Sequence, residues 1–150
     1  MRNREKQIRI CKALIVLNLC FIWGNSLLPG ELSGAFSDWV KQLLEMLFAG
    51  DGVETPGGGI LRKLAHFAEF TTLGLLLGLL FRLKQKKIRY AFPWGVLAAC
   101  VDETIQMFVP DRGPGLRDVG IDSCGVMTGM ILLCAGYFLS NKKKTKHFGG

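Results

Sequence analysis

Four stretches of this chain, residues 8–28, 60–81, 91–109 and 119–139, are almost wholly apolar. Each is about 19 to 22 residues long, and at 1.5 Å per helical residue each matches the ~30 Å hydrocarbon core of a bilayer. That feature constrains the fold more than any other. A soluble domain of 150 residues has no core large enough to hide four helices so long and so uniformly apolar. The expected fold is therefore an all-α membrane protein, a four-transmembrane-helix bundle forming one domain over residues 1–150.

Charge gives the orientation. The formal charge is +7, and most of the Lys and Arg lie at the flanks of the apolar stretches. Residues 1–12 carry five Lys/Arg against one Glu, residues 82–89 carry five, and residues 141–150 carry four lysines. By contrast, residues 29–59 have one Lys against five acids, and residues 110–117 have two Arg and one Asp. The positive-inside rule places both termini and the middle loop in the cytoplasm, an N-in/C-in arrangement with the other two loops outside. Nucleic-acid binding is the rival account of a pI near 9.4. It is set aside because the cations form three juxtamembrane clusters, with no polar domain to carry a binding face. The first run is longer than a signal-peptide core and is expected to be retained. The five cysteines (11, 20, 100, 124, 134) form no CxxC pair and read as inert thiols facing lipid or neighbouring helices.

The first outer loop carries structure of its own. Phe36, Trp39, Val40, Leu43, Leu47 and Phe48 recur at helical spacing, with Ser33 placed as an N-cap and Gly50 as a stop. An amphipathic outer-loop helix is expected, lying in the outer-leaflet interface or packed as a lid on the bundle. Residues 51–59 read as a flexible tether.

Polar residues interrupt the apolar runs at one level only. The first helix ends in Trp23, Asn25 and Ser26. The second begins with Lys63, His66 and Glu69, spaced by three, above Phe70, Gly74 and Gly78. The third ends with Asp102, Glu103 and Gln106, and the fourth begins with Asp118 and Asp122 above Gly125, Gly129 and Gly136. Arg112 and Arg117 lie in the turn between the last two helices. Counted back from Pro110, Asp102 sits about 12 Å inside the outer end, beyond the reach of a short snorkelling side chain. Carboxylates at that depth must face the bundle interior, a polar cavity or a cation. The glycine rows let helices approach closely, within one bundle or between copies, so the oligomeric state is left open.

In combination and in this order, these motifs resemble the VanZ-like family of small bacterial membrane proteins. The motifs are Asn25-Ser26…Pro29, KLAHFAEF with Gly74, DETIQMFVPDRG, and DVGIDSCG with Gly129. The resemblance covers nearly the whole chain. It implies a multi-pass protein of the bacterial cytoplasmic membrane, linked in some members to tolerance of lipid-anchored glycopeptides of the teicoplanin type. It does not supply a reaction.

Three functions follow from the residues. In the first, Lys63, His66, Glu69, Asp102, Glu103, Gln106, Arg112, Asp118 and Asp122 form a binding site for an envelope lipid headgroup or an amphiphilic glycopeptide. Lys63, Arg112 and Arg117 would take its phosphate or carboxylate. In the second, the chain is an intramembrane enzyme acting on a lipid-linked envelope precursor. His66 or Glu103 would then be the general base, Glu69 and Asp102 further catalytic candidates, and Asp102, Asp118 and Asp122 the ligands of a divalent cation. In the third, the network is purely structural, with Lys63 and Arg112 neutralising the acids. Chelation separates the second from the first, and neutral isosteres of the acids separate the third from both.

Overall fold

The computed structural model describes residues 2–29, 35, 38, 39, 42, 58–110, 112 and 115–147, the last seven of these by backbone only. Four α-helices follow one another: α1 (Arg2–Ser26), α2 (Gly58–Leu83), α3 (Phe92–Gln106) and α4 (Leu116–His147). A short 3-10 turn, Ile88–Ala91, precedes α3. There is no strand among the described residues. Three of the helices, α1, α2 and α4, are long and apolar enough to cross a membrane. Of the expected outer-loop helix, Ala35, Asp38, Trp39 and Gln42 are helical, and its remaining residues lie outside those described.

Helix α3 is shorter than its apolar run, at 15 residues. Pro93 sits in its first turn, where a missing N–H costs nothing. At the other end Pro110 biases Val109 away from helical dihedrals. Met107, Phe108 and Val109 therefore form a tight turn, with the Val109 N–H donating to the Gln106 carbonyl at 3.1 Å. Asp102 is thus one turn, about 6 Å, from the end of its helix, half the expected depth. Helices α1 and α4 instead overrun their apolar stretches, because the flanking Arg, Lys, Glu and Gln are good helix formers.

The link from α2 to α3 is a helix stop with a defined geometry. The Lys86 N–H donates to the Phe81 carbonyl at 2.8 Å and the Gln85 N–H to the Arg82 carbonyl at 2.8 Å. Gln85 takes φ 58°, the left-handed position usually filled by glycine. The chain reverses there and returns through the 3-10 turn.

The α2–α4 seam is the centre of the frame, and glycines set its closeness. A Cβ built on Gly74 would strike the Val126 backbone, and one on Gly129 the Thr71 carbonyl. A Cβ on Gly125 would come within 2.7 Å of the Phe67 carbonyl oxygen. Phe70, Leu73 and Val126 fill the space between these contacts. Gly78 meets only side chains, those of Leu133, Ile88 and Met130, and Gly136, expected in the same row, has nothing within 4 Å. Helix α1 packs by Cys11, Ile15, Ile22 and Ser26, a spacing that keeps one stripe inward. Its Cys11 thiol donates to the Leu76 carbonyl at 3.3 Å, and all five cysteines are free. Away from the carboxylates, Arg82 stacks 3.3 Å over the Tyr137 ring and ties α2 to α4 again.

Candidate functional site

The antiparallel course of the helices brings the end of α1, the start of α2, the end of α3 and the start of α4 to one level. The polar residues of all four meet there. Ser26 and Asp102 are fully buried, and Asp122, Glu103 and Gln106 are exposed by 2%, 6% and 8%.

Gln106 is the hub. Its Nε2 donates to Asp102 Oδ2 at 2.7 Å and to Ser26 Oγ at 3.2 Å, joining α3 to α1. The first bond spans one helical turn and is charge-assisted, so it fixes the Asp102 rotamer. His66 Nδ1 stands 3.7 Å from the same carboxylate oxygen, close enough for electrostatic contact but too long for a hydrogen bond. Asn25 Nδ2 donates to Glu69 Oε1 at 2.8 Å, so the polar exit of α1 grips α2. Glu103 Oε2 accepts the Gly115 N–H at 2.8 Å and holds the turn ahead of α4. Lys63 Nζ pairs with Asp118 Oδ1 at 3.2 Å near the surface.

Arg112 is half-buried, and its Nη1 donates to the Ser26 carbonyl at 3.4 Å. Burial, and then the neighbouring Arg62, pull its guanidinium below the ordinary value, while Asp102 and Glu103 pull it back up. It acts as a tie between the turn and α1. Arg117 is exposed.

Several buried polar atoms at this level have no hydrogen-bond partner among the described residues: His66 Nδ1, Glu69 Oε2, Asp102 Oδ1 and Arg112 Nε. Leaving such an atom unpaired costs about 1–3 kcal/mol, so four together mark a place built for something other than packing. A cavity of about 20 Å³ opens beside them, lined by Arg62, Lys63, His66, Glu103, Gln106 and Asp122, among others. That volume accepts one water molecule or one atom of similar size.

One nitrogen of His66 and one oxygen each of Asp102 and Asp122 lie within 4.8 Å of one another. Among the described residues these are the groups that could hold a metal ion. Of the expected set of Asp102, Asp118 and Asp122, the first and last belong to this group together with His66, and Asp118 pairs with Lys63. An imidazole and two carboxylates suit a divalent cation.

The sequence reading missed Arg62 as a site residue. It lines the cavity beside Lys63 and stands four residues before His66, a spacing that puts both on one helical face. Asn25 and Ser26 were legible as a polar exit, and their bonds to Glu69 and Gln106 make them part of the site's frame.

No curated protein and no solved structure matches the chain. The VanZ/LLP1 family model matches it over residues 11–139. That match takes in α2 and α3 whole, most of α1 and α4, and every residue of the polar layer, and the chain belongs to the VanZ/LLP1 family.

Proposed function

We propose that the protein crosses the bacterial cytoplasmic membrane four times, with both termini inside. Its polar layer would then sit at the extracytoplasmic leaflet and bind the anionic headgroup of an envelope lipid or the charged part of an amphiphilic glycopeptide. The three basic clusters at the opposite helix ends support the orientation. For the fourth crossing, α3 with its preceding 3-10 turn rises about 30 Å, enough for the hydrocarbon core. A cysteine introduced at Gly57 is labelled by an impermeant reagent from outside only; labelling from the cytoplasmic side alone contradicts this topology.

One observation carries the binding reading: Arg62 and Lys63 flank a cavity of about 20 Å³ lined by the buried acids Glu103 and Asp122 and by His66, whose Nδ1 has no hydrogen-bond partner among the described residues. A single hydroxyl oxygen of a headgroup fits that hole, and the phosphate or carboxylate lies on the two cations above it. The acids beneath bond hydroxyls and hold the cations in place. Contribution to tolerance of teicoplanin-type compounds follows if the ligand is the drug or the lipid it meets. Arg62→Gln with Lys63→Gln removes both cations and is expected to weaken ligand binding roughly ten- to hundredfold. Tolerance of a teicoplanin-type glycopeptide, measured at matched protein level, falls with it. Unchanged tolerance and unchanged lipid binding together contradict the reading.

A second reading is favoured by the His66–Asp102–Asp122 grouping. A divalent cation held there would polarise a phosphate oxygen of a lipid-linked substrate. Glu103, already oriented by the Gly115 N–H, is then the base within reach of an attacking water. Turnover that is lost on chelation and restored by a divalent cation distinguishes this reading from binding alone.

A further inference from the structure

At the end of the bundle opposite the carboxylates lies a larger feature that the polar site does not use. A groove of about 580 Å³ runs between α1, α2 and α3. Its walls include Ile15 and Leu19 of α1, Leu73 and Leu77 of α2, and Ala98 of α3. Three lysines, Lys12, Lys84 and Lys86, line it together with Trp94, and no acid does. All three lysines and Trp94 are exposed.

The dimensions select the occupant. From Leu73 to Lys84 the α2 wall rises about 16 Å, which is one leaflet of a ~30 Å hydrocarbon core. The volume falls within the roughly 300–1,000 Å³ of ligand sites. The wall is apolar along its length and the cations gather at one end, from two different elements of the chain. The lysine stems reach along apolar surface while their ammonium groups stand at headgroup level. Trp94, in the first turn of α3 at the lysine end of the groove, would lie where an indole prefers, at the membrane–water boundary. Exposed lysines alone would attract any anionic surface, but lysines at the mouth of an apolar slot one leaflet deep add a place for a chain.

We propose that this groove is a binding site for an anionic phospholipid of the leaflet at that end. One acyl chain lies along Ile15, Leu19, Leu73 and Leu77, and the phosphate is held by Lys12, Lys84 and Lys86. In the orientation proposed above that leaflet is the cytoplasmic one, but the site requires only that the helices span the membrane. It is independent of what the carboxylate layer binds.

Trp94 gives the readout. In a protein carrying Trp23→Phe and Trp39→Phe it is the sole tryptophan, and brominated lipid quenches it on contact. The protein is reconstituted in phosphatidylcholine vesicles containing either brominated phosphatidylglycerol or brominated phosphatidylcholine at equal mole fraction. Half-maximal quenching is expected at about a fivefold lower fraction of the anionic lipid, the weight of roughly one lysine at a membrane surface. Replacing Lys12, Lys84 and Lys86 together by Ala removes this advantage, and replacing them by Arg keeps it. Replacing Arg2, Arg4 and Lys6 by Ala removes as many charges from the same end without touching the groove, and the advantage stays. If the triple alanine variant does not reconstitute, Lys86→Ala alone, in the turn after α2, is expected to lower the advantage by about half. Equal quenching by the two lipids overturns the proposal, as does an Arg2/Arg4/Lys6 variant that loses as much as the groove variant.

Discussion

Gly129→Leu is expected to destroy the folded bundle, while Gly136→Leu, seven residues along the same helix, is expected to do almost nothing. At Gly129 any side chain runs into the Thr71 carbonyl, which is backbone and cannot rotate away. The helices must then separate, opening the seam filled by Phe70, Leu73 and Val126. Overpacking in a core commonly costs about 1–3 kcal/mol, and an obstacle made of backbone puts this case at or beyond the upper end. Gly136 has open space around it, and leucine is there a better helix former in an apolar surrounding. Thermal unfolding of the purified protein in detergent, followed by circular dichroism, reads both. Equal midpoints for the two variants would show that the α2–α4 seam is not held at glycine distance.

The second large effect belongs to Asp102. Asparagine has the same shape, and its carbonyl oxygen can still accept from Gln106, so Asp102→Asn is expected to insert and fold. It removes the negative charge that stands 3.7 Å from His66. Loss of a carboxylate beside a histidine at a binding or metal site commonly lowers affinity or activity roughly 10- to 100-fold, and a loss of that size in tolerance or ligand binding is expected here. Asp102→Ala goes further, because it strands the Gln106 donor in a buried place at a cost of about 1–3 kcal/mol. The comparison matters more than either value. In a purely structural network the neutral isostere keeps full function, and only the alanine variant fails. Function measured at matched expression decides between them.

Much of this architecture was readable from the residues. The apolar runs located the helices, and Gly74, Gly125 and Gly129 marked the seam, because only glycine lets two backbones come so close. The polar layer was legible because carboxylates one turn or more inside an apolar run have nowhere else to go. What escaped the sequence was decided by partners on other helices. Gly136 follows Gly129 by two helical turns and looks like part of the same row, yet by that point nothing lies within 4 Å of it. Met107, Phe108 and Val109 are as apolar as a helix interior, but Pro110 ends the helix before them. Asp118 and Asp122 share a face of α4, so spacing alone groups them as ligands. Asp118 pairs with Lys63 on α2, and His66 on the same helix stands with Asp102 and Asp122. From the sequence Arg112 is the best placed cation for a phosphate; in the structure one of its nitrogens bonds the Ser26 carbonyl of α1, and Arg62 and Lys63 are the cations that line the cavity.

The most direct test watches His66, one of only two histidines in the chain. In protein made with isotope-labelled histidine, the His66 ring nitrogens report from inside the polar layer, and His147 at the far end of α4 serves as reference. A short-chain phosphate-bearing lipid is titrated into the purified protein in detergent, and the imidazole nitrogen shifts are followed by NMR. A saturable shift is expected at His66 with none at His147, and its loss in the Arg62→Gln, Lys63→Gln variant. Occupation of the lysine-lined groove at the other end leaves His66 unmoved, so the two sites are not confused. A His66 resonance that stays fixed to the end of the titration, or one that shifts equally in the doubly neutralised variant, would contradict the claim that this layer is a site for an anionic headgroup.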